Sequence, residues 1–110
     1  SLLQTANEAY KVAQLRQQKL SPFQALFLAT LGGARALCLE DKLGNFEVGK
    51  EADFVMFDLR ATPVMAFRNS EDMPTDLNEL ADRAFSLIMM GDDRAVDAVY
   101  ILGELAYSKP

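Results

Sequence analysis

The segment from Phe23 to Leu31 constrains this chain more than any other. Phe23, Ala25, Leu26, Phe27, Leu28, Ala29 and Leu31 leave almost no polar face on a helix whose start is well marked. Ser21 suits an N-cap, Pro22 the first helical position, and Gln24 completes a capping box. A helix that is apolar all round is buried on most of its sides. The chain has 110 residues in which to find that cover, enough for one domain or part of one. A chain of this length buries roughly two thirds of the surface its unfolded form exposes.

The other segments promise little cover. Ser1–Leu20 predicts a helix, with Leu2, Ala6, Ala9 and Ala13 on one stripe and Gln4, Asn7, Glu8 and Lys11 on the polar side. Gly32-Gly33 predicts a stop or kink after the apolar helix, and Ala34–Leu39 one more short helical piece. Lys42–Lys50, with two glycines and an asparagine, reads as a turn-rich connection. Ala52–Asp58 is a short apolar run between acids and predicts a buried strand. Leu59–Thr75 has no clear period, is punctuated by Pro63 and Pro74, and reads as a long contact or functional loop. Asp76, with Glu79 three residues on, opens a third long helix along Leu77, Leu80, Ala81, Ala84, Leu87 and Ile88, which Gly91 ends. Ala98–Leu102 predicts a strand, Gly103-Glu104 a two-residue turn, and Leu105–Tyr107 a return strand. The class is α+β. Three strands make a small sheet with unpaired edges, and the pattern reads as the end of a larger protein.

Composition narrows the chemistry. Eleven basic residues against sixteen acidic give a net charge of −5, the wrong sign for a nucleic-acid footprint. No apolar run is long enough for a membrane-spanning helix, and the amino-terminal residues lack the basic start and apolar centre of a secretory signal. A single cysteine, Cys38, allows no internal disulfide and suits a reducing, cytoplasmic setting. The chain contains no histidine, which removes histidine-ligated zinc, Ser-His-Asp triads and Cys-His dyads built within it.

The remaining motifs read as structure. Gly32-Gly33-Ala34-Arg35 lacks the spacing and the strand-turn-helix context of a phosphate loop. Asp92-Asp93 reads as a charged turn paired with Arg94, because hard cations want six or more oxygens. Asp53 and Asp58 sit at an odd spacing on opposite faces of their strand. Cys38 reads as a small buried hydrophobe, and Met89-Met90 as packing.

Two stretches then carry a resemblance. Leu28-Ala29-Thr30-Leu31-Gly32-Gly33-Ala34-Arg35-Ala36-Leu37, followed by Leu43-Gly44-Asn45-Phe46-Glu47-Val48-Gly49-Lys50-Glu51-Ala52-Asp53-Phe54, resembles the carboxy-terminal region of the metal-dependent amidohydrolase superfamily. Gly44, Gly49, Lys50, Ala52 and Asp53 match its G-x-(I/L)-x-x-G-K-x-A-D-(F/L) segment. Within the superfamily the chain is most similar to the guanine deaminases, through Leu3–Gln14, Ala61-Thr62-Pro63 and Met90–Val96. The resemblance implies a fragment that combines the last barrel helices of a (β/α)8 amidohydrolase, residues 1–40, with the carboxy-terminal strands of its small β-sandwich domain, residues 41–110, including one helix over 76–90. It implies a parent hydrolase that uses zinc to turn guanine and water into xanthine and ammonia. It assigns no catalytic, cofactor-binding or metal residue to this chain, and no cofactor is expected in it. Guanine is the expected substrate of the parent, and the excised piece is expected to self-associate. A cytosine or chlorotriazine deaminase as parent, or a freestanding interaction module, remains an alternative reading.

Overall fold

A computed structural model describes residues 1–110. In chain order the elements are α1 (Leu2–Leu15), α2 (Pro22–Ala29), α3 (Leu31–Ala36), β1 (Phe54–Phe57), α4 (Pro63–Arg68), α5 (Leu77–Met90), a 3-10 turn (Asp93–Ala95), β2 (Val96–Ile101) and β3 (Glu104–Ser108).

Local signals account for most helix starts. The Ser21 hydroxyl accepts from the Gln24 N–H at 3.1 Å while Gln24 Oε1 accepts from the Ser21 N–H at 2.8 Å, which closes the expected capping box on α2. Asp76 Oδ1 accepts from the Glu79 N–H at 2.8 Å to start α5. Glu79 Oε2 reaches back to the Thr75 N–H at 2.7 Å, one residue before the cap and not to the cap itself.

Other boundaries depart from the sequence reading. α1 stops at Leu15 and does not run to Leu20. Gln17 takes a left-handed conformation (φ 57°) and the Gln18 N–H donates to Ala13 O at 2.9 Å, the closing bond of a Schellman-type end. The polar run Arg16-Gln17-Gln18 has no apolar stripe to bury, so nothing favours another turn. The break between α2 and α3 falls at Thr30 (φ −123°, ψ −102°), whose hydroxyl donates to Leu26 O at 2.7 Å. Gly32 and Gly33 therefore lie inside α3, with Gly32 packed against Phe27. Cys38 is exposed, not buried: it is the left-handed residue (φ 57°) that closes α3 as the Leu39 N–H donates to Ala34 O at 2.8 Å. The expected loop over 59–75 contains a helix, α4, started by the Thr62 hydroxyl accepting from the Met65 N–H and by Pro63 in its first turn. Six residues are too few to display a period.

The sheet is antiparallel in the order β1-β2-β3. Phe54 stands opposite Tyr100, their rings stacked 4.5 Å apart. Both edges, β1 and β3, are unpaired. The apolar run predicts a buried β1, yet Val55, Met56 and Phe57 are exposed, because neither face of the strand is fully covered by a second layer. The hairpin turn falls on Leu102-Gly103, not on Gly103-Glu104. Both residues are left-handed (φ 53° and 78°), as a two-residue type I′ turn requires. Asp53 Oδ1 accepts from the Leu102 N–H at 2.8 Å and Ala52 O from the Gly103 N–H at 2.9 Å, which ties the turn to the start of β1. Leucine is a poor residue for that conformation. Leu102→Asn, which creates an Asn-Gly turn, is expected to raise stability by about 1 kcal/mol. A urea midpoint that falls on this change would contradict the assignment.

The core is small. Leu3, Met65, Leu87 and Ala95 form one cluster, with Leu59, Ala61 and Met90 packed against it. Tyr10 meets Phe85 edge-on at 5.3 Å, and Asn7 Nδ2 donates to Met89 O at 3.1 Å, so α1 lies along α5. Only 11 of 110 residues are buried. The surface measures 7803 Å², about 1,700 Å² more than the roughly 6,100 Å² expected of a compact monomer of this mass. The radius of gyration, 14.6 Å, likewise exceeds the roughly 13 Å of a compact chain this long.

Candidate functional site

Exposed apolar side chains are spread along the chain, and α2, where the sequence set its strongest constraint, is among the segments that carry them. Of the residues of α2 only Ala25 is buried, and Phe23, Phe27 and Leu28 are exposed. Beside them a groove of about 400 Å³ opens between α1, α2 and β1, lined by Leu2, Ala6, Leu26, Ala29, Leu43 and Phe54 among others. Three of its polar side chains each have an oxygen tied to backbone. Asn45 Oδ1 accepts from the Glu47 N–H at 3.3 Å, Asp53 Oδ1 from the Leu102 N–H, and the Thr30 hydroxyl donates to Leu26 O. Ligand pockets orient small molecules through a few convergent polar groups, whereas the lining of this groove is mostly apolar. An apolar face this continuous is suited to contact with protein.

The segment from Gly44 to Asp53 fastens that face to the sheet. Gly44 has φ +110°, and a Cβ there would stand 2.9 Å from the Ala34 Cβ, so the turn needs a glycine both for its backbone angle and for its close approach to α3. Gly49 is also left-handed, at φ +94°. The Lys50 side chain is 10% exposed, with its ammonium 3.3 Å from Glu47 Oε2, and the Glu51 N–H donates to Lys42 O at 2.7 Å. Ala52 and Asp53 hold the hairpin turn, as described above. The glycines, Lys50, Ala52 and Asp53 of the motif thus each take part in holding the local conformation.

The acidic candidates resolve in the same way. Asp58 Oδ1 accepts from the Arg60 N–H at 2.8 Å, so Asp53 and Asp58 serve backbone amides at the two ends of β1 and share no cleft. Asp92 caps the 3-10 turn, and its Oδ2 lies 2.8 Å from Arg94 Nη2. The Arg94 side chain, through its hydrogen bonds, holds the Asp92 carboxyl below the usual carboxylate range, and Asp92 in return raises the Arg94 guanidinium. Arg68 does the same to Asp82 across 2.6 Å, and its own pKa rises. Both pairs are at the surface, where solvent leaves ion pairs little net effect. Gly32-Gly33-Ala34-Arg35 is part of a helix and cradles nothing.

Zinc centres draw mainly on histidine and cysteine with supporting carboxylates. The chain has no histidine and one cysteine, and no three of its cysteine, aspartate and glutamate side chains converge. The donor set here does not fit a zinc centre.

One buried polar centre had no signal in the sequence. Asn69 is 3% exposed. Its Nδ2 lies 2.9 Å from Leu59 O, 2.9 Å from Ser86 Oγ and 3.2 Å from Met65 O, so its two N–H groups are shared among three acceptors. Two of those partners are carbonyls, which can only accept, so the amide nitrogen must face them. Arg60 Nη1 donates to Ala66 O at 2.9 Å and also to Asn69 O. Asn69 thus rivets the end of α4 to α5 through Ser86, and Arg60 ties that end to the segment after β1.

Comparison with known proteins places these features. The pattern of the amidohydrolase family matches residues 1–106. A guanine deaminase of Escherichia coli (strain K12) is 45% identical over 109 residues, which is 99% of this chain and 24% of that relative. The solved structure titled E. coli Guanine Deaminase superposes on all of this chain and 25% of its own, with a TM-score of 0.89 at 44% identity. The guanine deaminase structure from Bradyrhizobium japonicum does so with a TM-score of 0.83 at 35% identity, over 100% of this chain and 28% of its own. The chain spans about a quarter of the length of the relatives it matches. From its first helix to its terminal hairpin, the chain belongs to the amidohydrolase family.

Proposed function

We propose that this chain is the carboxy-terminal portion of a hydrolase that converts guanine and water to xanthine and ammonia, with the catalytic centre in residues outside it. The observation that carries the reading is the surplus of about 1,700 Å² of surface over a compact monomer, to which the exposed apolar residues of α2 and β1 contribute. One partner of a standard complex buries only about 800 Å², so an excess of this size suits a face made within a larger fold. The identity to guanine deaminases over nearly the whole chain supports the choice of substrate.

In this reading residues 1–40 are the last helices on a (β/α)8 barrel, and residues 41–110 belong to a composite β-sandwich beside it. The apolar α2 then faces barrel strands, and the open edges of β1 and β3 continue into further strands. The zinc implied by the family is bound outside this chain, since the donors here do not fit it. The parent works in the cytoplasm, consistent with one unpaired cysteine, and the net charge of −5 on this portion is the wrong sign for a nucleic-acid footprint.

The test uses the chain and the full-length protein side by side. The full-length protein is expected to release ammonia from guanine in preference to cytosine, adenine or chlorotriazines. The chain alone is expected to release none and to hold no stoichiometric zinc. Turnover by the chain alone, or a full-length enzyme that ignores guanine, would overturn the reading.

The exposed face and the open strand edges also predict self-association of the isolated chain. Size-exclusion chromatography with light scattering is expected to give a dimer or larger species at high concentration. A clean monomer would show that the face tolerates water.

A further inference from the structure

We draw no further inference here: the strongest candidate, the exposed apolar patch that Val64 and Phe67 form on the outer side of α4, is an unpartnered face, and nothing in the structure shows what covers it.

Discussion

Met65→Ala is expected to remove about 2–5 kcal/mol of stability, the range for truncating a buried long side chain without collapse of the cavity. Met65 is 1% exposed and is the largest fully buried side chain in the protein. It joins Leu3 of α1, Leu87 of α5 and Ala95 before β2 in one cluster, so its loss loosens three elements at once. A small domain has only about 5–15 kcal/mol in total, and this chain buries few residues to begin with. The measurement is a urea unfolding curve of the chain, with Met65→Leu as the control. The volume-conserving change is expected to cost less than about 1.5 kcal/mol. Equal midpoints for the two variants would mean that the cluster does not hold the fold together.

Asn69→Leu is expected to cost about 1–3 kcal/mol for each buried group left without its partner. Leucine fills a similar volume but donates nothing, so Leu59 O and Ser86 Oγ lose the amide that now serves them. Met65 O keeps the backbone N–H of residue 69, at 2.9 Å. The loss is local, and hydrogen exchange should reveal it. Amides of residues 62–69 are expected to exchange faster while those of β2 and β3 keep their protection. Unchanged exchange in α4 would show that Arg60 and the packing of Met65 suffice to hold it.

These two residues also mark how far the sequence could be read. Met65 and Asn69 lie in the stretch that offers no period, and the helix that carries them is six residues long. Thr62-Pro63 is a sound helix start, but a start without a following stripe is a weak signal. Nothing in the letters pairs Asn69 with Ser86, seventeen residues away. By contrast, Ser21-Pro22 and Asp76 announced α2 and α5, because a cap acts within a single turn. The candidate site was legible in part. The apolar Phe23–Leu31 run and the glycine-lysine-aspartate motif were both visible, but the tasks of the motif were not. Asp53 and Ala52 hold a turn forty-nine and fifty-one residues further on.

Burial was the property least open to sequence reading. The β1 run looked internal because it is apolar, and Cys38 because its neighbours are. Apolarity states what a residue favours; exposure depends on what the rest of the fold can bring against it. Family membership and the positions of the capped helices were written in the sequence, since motif and cap chemistry act between near neighbours. The register of the sheet, the left-handed places of Gln17, Cys38 and Leu102, the Asn69 rivet and the bare face of α2 were decided only in three dimensions. They depend on contacts between distant segments, and those contacts come into being when the chain packs.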